Sequence, residues 1–231
     1  VSSPGQPKVP IVTGRFDWPR LLGPSFEGRG VTGEIKFDWS REPSVAWQLP
    51  VQDGYGLGCV WDNRSYHHDA RREGRQSIER LRAVDLVDAE TIWSVERPLS
   101  YQDLYGYESG PRGTPTTDGK LIITFGVDGQ LICRRLNDGS EKWSVSTNQD
   151  FGVVQNFFGV GSSPLLLNDR VIVPVGGSPK EDQQIAPGRL DRVTPNGSAL
   201  VAFRLADGKR LWQSGNDLAS YSSPRTMKIG D

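Results

Sequence analysis

The sequence predicts an all-β chain, folded as a β-propeller of four-stranded antiparallel blades, and three observations lead there. An eleven-residue pattern occurs three times, from Ala83 to Trp93, from Cys133 to Trp143 and from Ala202 to Trp212. Each copy opens on a small residue and turns at Asp88-Ala89, Asp138-Gly139 or Asp207-Gly208. Trp then follows four residues after the second turn residue. A second marker keeps pace with the first: Gly113-Thr114-Pro115, Ser162-Ser163-Pro164 and Ser222-Ser223-Pro224. Repeats of about 50 residues are the length of a four-stranded blade. Finally, Asp118-Gly119, Asp128-Gly129 and Asp138-Gly139 stand ten residues apart with strand-like runs between them. Asp-Gly between such runs is the strongest short hairpin signal, because its backbone accepts positive φ.

Composition agrees. The 231 residues hold 27 Gly and 16 Pro, with Val, Ile, Thr and Trp in short runs between turn residues, an all-β profile. The net charge of −1 gives no global attraction to nucleic acid or to an anionic membrane. No apolar run approaches the roughly 18 residues of a membrane-spanning helix. The opening Val1-Ser2-Ser3-Pro4-Gly5 has neither the charged nor the apolar region of a signal peptide. Cys59 and Cys133 lie far apart in the repeat and read as small buried apolar residues.

Each element follows from these markers. Residues 1–15, rich in Pro, Ser and Gly, read as a flexible N-terminal tail. Residues 16–50 carry Trp18, Trp39 and Trp47, with Val45–Leu49 as an outer closing strand. Blades follow at 51–97, at 98–147 and at 148–214, the third with a long insertion at 176–198, and 215–231 begins a further blade. In the second blade the turns delimit strands at 113–117, 120–125, 130–136 and 140–145. Leu121-Ile122-Ile123 and Val171-Ile172-Val173 are continuously apolar, as inner strands covered on both faces are. About three and a half blades cannot close a ring, so the expected whole is a longer propeller of about seven or eight.

Strand parity separates two faces. The turns joining strands one to two and three to four are short and share one end of every blade. The other end collects the connections at about 67–79, 98–112, 147–161, 176–198 and 214–221. Long loops gathered on one face of a rigid scaffold are where binding resides.

These residues resemble the PQQ-binding-like β-propeller repeat family, whose motif is Ala-x-Asp-x-x-Thr-Gly followed after three residues by Trp. The resemblance runs from Trp18 to the end. It is nearest to the exported bacterial branch that is similar to the BamB-type propeller of outer-membrane barrel assembly. Asp17-Trp18-Pro19-Arg20-Leu21-Leu22-Gly23-Pro24 and Tyr105-Gly106-Tyr107-Glu108-Ser109-Gly110-Pro111-Arg112 are similar to stretches of that branch. The motif Asp persists only as Asp85 and is Arg135 and Arg204 in the other copies. Gly58-Cys59 stands where Ser-Pro is usual. The resemblance implies a propeller, and a location in the periplasm or cell envelope. Quinone-dependent dehydrogenases of the superfamily hold their cofactor on the ring axis with a stacking Trp, a calcium and often adjacent cysteines. This chain has no Cys-Cys pair and no Cys-x-x-Cys-His site. The expectation is therefore no cofactor, with PQQ and calcium as the alternative.

The candidate chemistry is that of a binding protein. Trp93, Trp143 and Trp212, with Asp138-Gly139 and Asp207-Gly208, read as packing between blades. His67-His68-Asp69 contains the only histidines, and neighbours on a strand point to opposite faces, which suits no single metal. Arg71-Arg72-Glu73-Gly74-Arg75 is the densest basic cluster, either solvated or an anion-binding fork. Tyr101, Tyr105 and Tyr107 precede Arg112, Phe151, Phe157 and Phe158 precede Gly161, and Tyr221 precedes Ser222. All lie in links leading to an innermost strand. They either fill the space around the axis or bind a protein, peptide or glycan, with Glu108 and Arg112 as polar partners. The expected function is a non-catalytic scaffold binding through its long-loop face. The alternatives are a quinone- and calcium-dependent oxidoreductase and a polysaccharide-active enzyme on the same ring.

Overall fold

The computed structural model describes residues 17–29, 40, 42 and 44–227. The expected tail at 1–15 and Trp39 lie outside the described residues. Three four-stranded antiparallel sheets follow one another along the chain. The first is β1 (Cys59–Trp61), β2 (Arg64–Glu73), β3 (Gln76–Asp85) and β4 (Thr91–Leu99). The second is β5 (Thr116–Thr117), β6 (Leu121–Phe125), β7 (Gln130–Arg135) and β8 (Glu141–Ser146). The third is β9 (Leu165–Leu167), β10 (Arg170–Pro174), β11 (Leu200–Arg204) and β12 (Arg210–Ser214). A short helix, α1 (Thr147–Phe151), follows the second sheet. The sheets are propeller blades.

Alternation along the strands fills the spaces between blades. Ile123, Phe125, Leu131, Cys133 and Trp143 of the second blade meet Val171, Val173, Val201 and Phe203 of the third. Ile122 and Leu136 point the other way and meet Tyr66, Leu81 and Ala83 of the first. Successive side chains on a strand face opposite sides, so the middle blade is apolar on both.

Two repeated hydrogen bonds give the sequence markers their physical meaning. On the periphery the indole Nε1 of Trp47, Trp93 and Trp143 donates to the carbonyls of Leu86, Leu136 and Leu205, at 2.8, 3.1 and 2.8 Å. Each acceptor lies in the turn between strands three and four of the following blade. Gly139 and Gly208 are required in those turns twice over. Their φ angles are +72° and +73°, and a Cβ would lie 2.7 Å from Trp93 and 2.8 Å from Trp143. Trp212, the fourth such residue, is 38% exposed, and its indole makes no hydrogen bond among the described residues.

Near the axis a second relay runs through the Thr-Pro and Ser-Pro markers. The Leu57 N–H donates to Thr114 Oγ1 (3.2 Å), the Thr114 N–H to Ser163 Oγ (2.8 Å) and the Ser163 N–H to Ser223 Oγ (2.8 Å). This relay corrects the register of the first blade. The residues standing where Ser-Pro is usual are Leu57-Gly58, one place before Gly58-Cys59.

Two further expectations change. Val45–Leu49 forms no strand, although Trp47 takes its place in the peripheral series. The supposed loop at 67–79 is mostly strand, since β2 and β3 are ten residues each and turn only at Gly74-Arg75. Its charged residues pair across the sheet: Arg71 grips Glu96 at 3.0 and 2.9 Å, and Arg80 grips Asp69 at 2.9 and 2.6 Å. Ion pairs across the sheet satisfy a strand that composition alone reads as loop.

The two faces are as parity requires. In every blade the turn after strand three donates to the turn after strand one: Leu86 to Asn63, Leu136 to Lys120 and Leu205 to Asp169. That end is plain. The links 100–115 and 147–164 and the 175–199 insertion occupy the other.

Candidate functional site on the long-loop face

The link after β4 is shaped by one carboxylate. Asp103 is buried, and its Oδ1 accepts the backbone N–H groups of Tyr105 (2.9 Å) and Tyr107 (3.1 Å). Its Oδ2 accepts Arg112 Nη2 at 2.8 Å and the Tyr101 hydroxyl at 3.3 Å. Burial, followed by the neighbouring Asp103 charge, pushes the Tyr101 phenol up to about 12. Arg112 also donates to the Glu108 carbonyl at 3.1 Å. Its guanidinium lies over the rings of Tyr55 (4.8 Å) and Phe158 (5.4 Å), where a flat cation is attracted by the ring faces. Asp103 thus neutralises a largely buried cation and turns the loop so that its tyrosines project outward.

Those tyrosines meet rings from two other links. Tyr105 lies 5.8 Å from Phe157 and 6.0 Å from Phe158, and Tyr107 lies 6.0 Å from Phe158. Tyr221 stands 5.6 Å from Phe158, and its hydroxyl accepts the Phe158 N–H at 3.1 Å. These separations are those of favourable tilted and edge contacts. Glu108 turns aside, its Oε2 accepting the Gly54 N–H at 2.9 Å. Of the residues expected at the site, Tyr105, Tyr107, Arg112, Phe157, Phe158 and Tyr221 come together, while the Glu108 side chain is committed to the Gly54 amide. Phe151 does not join them; it is buried between blades, edge-on to Phe203 at 6.2 Å. Asp103 and Tyr55 are additions the sequence reading missed. An Asp two residues before the first of a pair of tyrosines is the signal that marks the former.

The cluster is not packed away. Tyr105 is 62% exposed and Tyr107 57%, and Tyr55, Leu104, Phe157 and Tyr221 are also exposed. Beside it a groove of about 1000 Å³ runs between the tip of the β2–β3 hairpin and the 99–109 link.

Residues 77–230 match the family model described as outer membrane protein assembly factor BamB. The chain belongs to this PQQ-like repeat family of β-propellers. Among solved structures, it is similar to the quinohemoprotein alcohol dehydrogenase of Comamonas testosteroni, at 16% identity over 85% of this chain and a TM-score of 0.53. It is also similar to a europium-containing methanol dehydrogenase, at 21% identity over 73% of this chain and a TM-score of 0.52. The chain spans 26% of the length of each. A third is BamB from Moraxella catarrhalis, at 15% identity over 76% of this chain and 69% of that one, with a TM-score of 0.33. At these identities the two dehydrogenases establish a shared fold. No significant match was found among curated protein sequences.

Elsewhere in this BamB-family chain, ionisable groups serve the scaffold. Glu79, buried between the first two blades, lies 3.1 Å from His68 Nε2 and receives Arg97 at 2.8 and 2.7 Å. Arg97 also grips Asp128 of the second blade at 2.7 and 2.8 Å. Burial alone would raise the Glu79 carboxyl, but His68 and Arg97 outweigh it and hold it down to about 2. His67 pairs with Ser65 Oγ at 2.7 Å, and burial, then the Arg82 charge, lowers its pKa. Both histidines sit on β2, not in a loop. Cys59 and Cys133 are buried free thiols; burial raises both, Cys133 to about 12, which keeps them unreactive. Among the described residues no cluster of three His, Cys, Asp or Glu could hold a metal ion, and no helix is long and apolar enough to cross a membrane.

Proposed function

We propose that this chain is a non-catalytic binding module that takes a protein, peptide or glycan through its long-loop face. The observation that carries the reading is the cluster of Tyr105, Tyr107, Phe157, Phe158 and Tyr221. Five rings from three separate links meet there, held from below by the Asp103–Arg112 pair, and most of them stay open to solvent. A packing role would bury the rings. Rigid aromatic anchors on a prearranged loop instead favour binding, because little side-chain entropy remains to be lost. Membership of the BamB family supports an exported location in the periplasm or cell envelope, and a role in binding rather than turnover.

The test is a screen of the chain against immobilised oligosaccharides and peptides, run beside the Tyr105→Ala/Phe157→Ala double variant. Ligands retained by the parent and lost by a folded variant support the reading. Ligands bound equally by both, or none at all, count against it. The rival quinone- and calcium-dependent oxidoreductase is tested in parallel by dye reduction with added PQQ and calcium; activity there would replace the binding reading.

A further inference from the structure

The hairpin of β2 and β3 is longer than its counterparts. Its strands have ten residues each, where β6 and β10 have five. At about 3.3 Å per residue, the extra length lifts its tip well above the other blades. The tip turns at Gly74, φ +61°, the first-position glycine of a type II′ turn. One wall of the groove is this tip and the other is the 99–109 link.

The groove holds unspent capacity of one kind. Arg75 makes no ion pair or hydrogen bond among the described residues, and Arg72 commits only its Nε, to Asp53 at 2.9 Å. Arg71, by contrast, is fully engaged by Glu96 and Glu73 on the other face of the hairpin. Among the described residues the one carboxylate lining the groove, Asp103, is neutralised by Arg112. The side chains of Gln76, Ser77, Ser100 and Gln102 line the groove and make no side-chain hydrogen bond to another described residue. At the end nearest the aromatic cluster stands the exposed ring of Tyr107.

We infer that this groove binds an acidic polysaccharide, one whose sugar units carry carboxylates. The inference rests on the binding reading above and specifies its ligand. The unpartnered Arg75 guanidinium and the two Nη groups that Arg72 leaves free beside its Asp53 pair are donors that recognise carboxylates. A row of amides and hydroxyls matches a row of sugar hydroxyls, and Tyr107 offers a flat face for a sugar ring. An acidic peptide would satisfy the arginines, but peptide grooves draw their affinity from buried apolar pockets, and this trough is lined mainly by polar groups.

The experiment is calorimetric titration of the chain with hexagalacturonate, with maltohexaose as the neutral glycan and poly-L-glutamate as the acidic peptide. Saturable binding of hexagalacturonate is expected, weakened at least about tenfold in Arg72→Gln/Arg75→Gln, since two charge-assisted contacts are lost. Tyr107→Ala weakens it several-fold at an unchanged Tm, and neither control ligand saturates. Absence of hexagalacturonate binding, indifference to the arginine substitutions, or equal binding of poly-L-glutamate each overturns the inference. If hexagalacturonate fails while the screen yields a ligand lost in Tyr105→Ala/Phe157→Ala, only the groove assignment falls. If both fail, the binding reading falls with it.

Discussion

Replacing Asp103 by Ala removes the group on which the candidate site is built. The carboxylate is 99% buried by side-chain area, and Arg112, its partner at 2.8 Å, is 88% buried. Breaking a buried pair by deleting one member costs about 3–5 kcal/mol, because a charge is left without its counterion. Arg112 keeps the Glu108 carbonyl and two aromatic faces, so the lower end, about 3 kcal/mol, applies. For a chain of this size that lowers Tm by about 6–12 °C. The Tyr105 and Tyr107 amides lose their acceptor, so their hydrogen exchange accelerates by local opening, whereas that of β6 and β10 rises only with the loss of global stability. Asp103→Asn keeps an oxygen for those amides and loses only the charge, so it falls between Ala and wild type. An unchanged Tm, together with unchanged exchange at Tyr105 and Tyr107, would refute the claim that Asp103 organises this loop.

Three other perturbations probe the scaffold. Trp143→Ala should cost about 3–5 kcal/mol by chemical denaturation, since it leaves a cavity between blades and an orphaned Leu205 carbonyl, whereas exposed Trp212→Ala should cost roughly half as much. Acid titration of stability should reveal Glu79. Its folded pKa of about 2 lies below the ordinary 4.5, so its contribution of about 3 kcal/mol is complete above pH 4.5 and is lost as pH falls toward 2; Glu79→Gln should flatten that limb. Ala89 holds φ +61° where the other copies have Gly, so Ala89→Gly should raise stability by about 1 kcal/mol, and Gly139→Ala should lower it by at least that much.

The fold was legible because the repeat encodes contacts made at fixed positions. Trp93 and Trp143 reach the next blade's Leu carbonyl, and Thr114 and Ser163 sit in the axial relay. The same regularity brought Tyr105, Phe158 and Tyr221 together, since each lies in a link leading to an innermost strand. The basic cluster at the hairpin tip was visible, but its two strands read as loop because His67 through Glu79 is as polar as one. Its strand identity depends on the pairing of Asp69 with Arg80 and of Arg71 with Glu96, which only the register reveals. Asp103 was missed for a related reason, because its four donors are spread from Tyr101 to Arg112.

The most direct measurement compares two folded double variants in the same ligand screen. One is Tyr105→Ala/Phe157→Ala on the long-loop face. The other is Lys120→Ala/Asn137→Ala in the turns of the plain face, where these residues border a shallow hollow. The account predicts that binding is lost only in the first. Loss only in the second would contradict it, because ligand recognition would then reside on the end of the blades where the short turns lie.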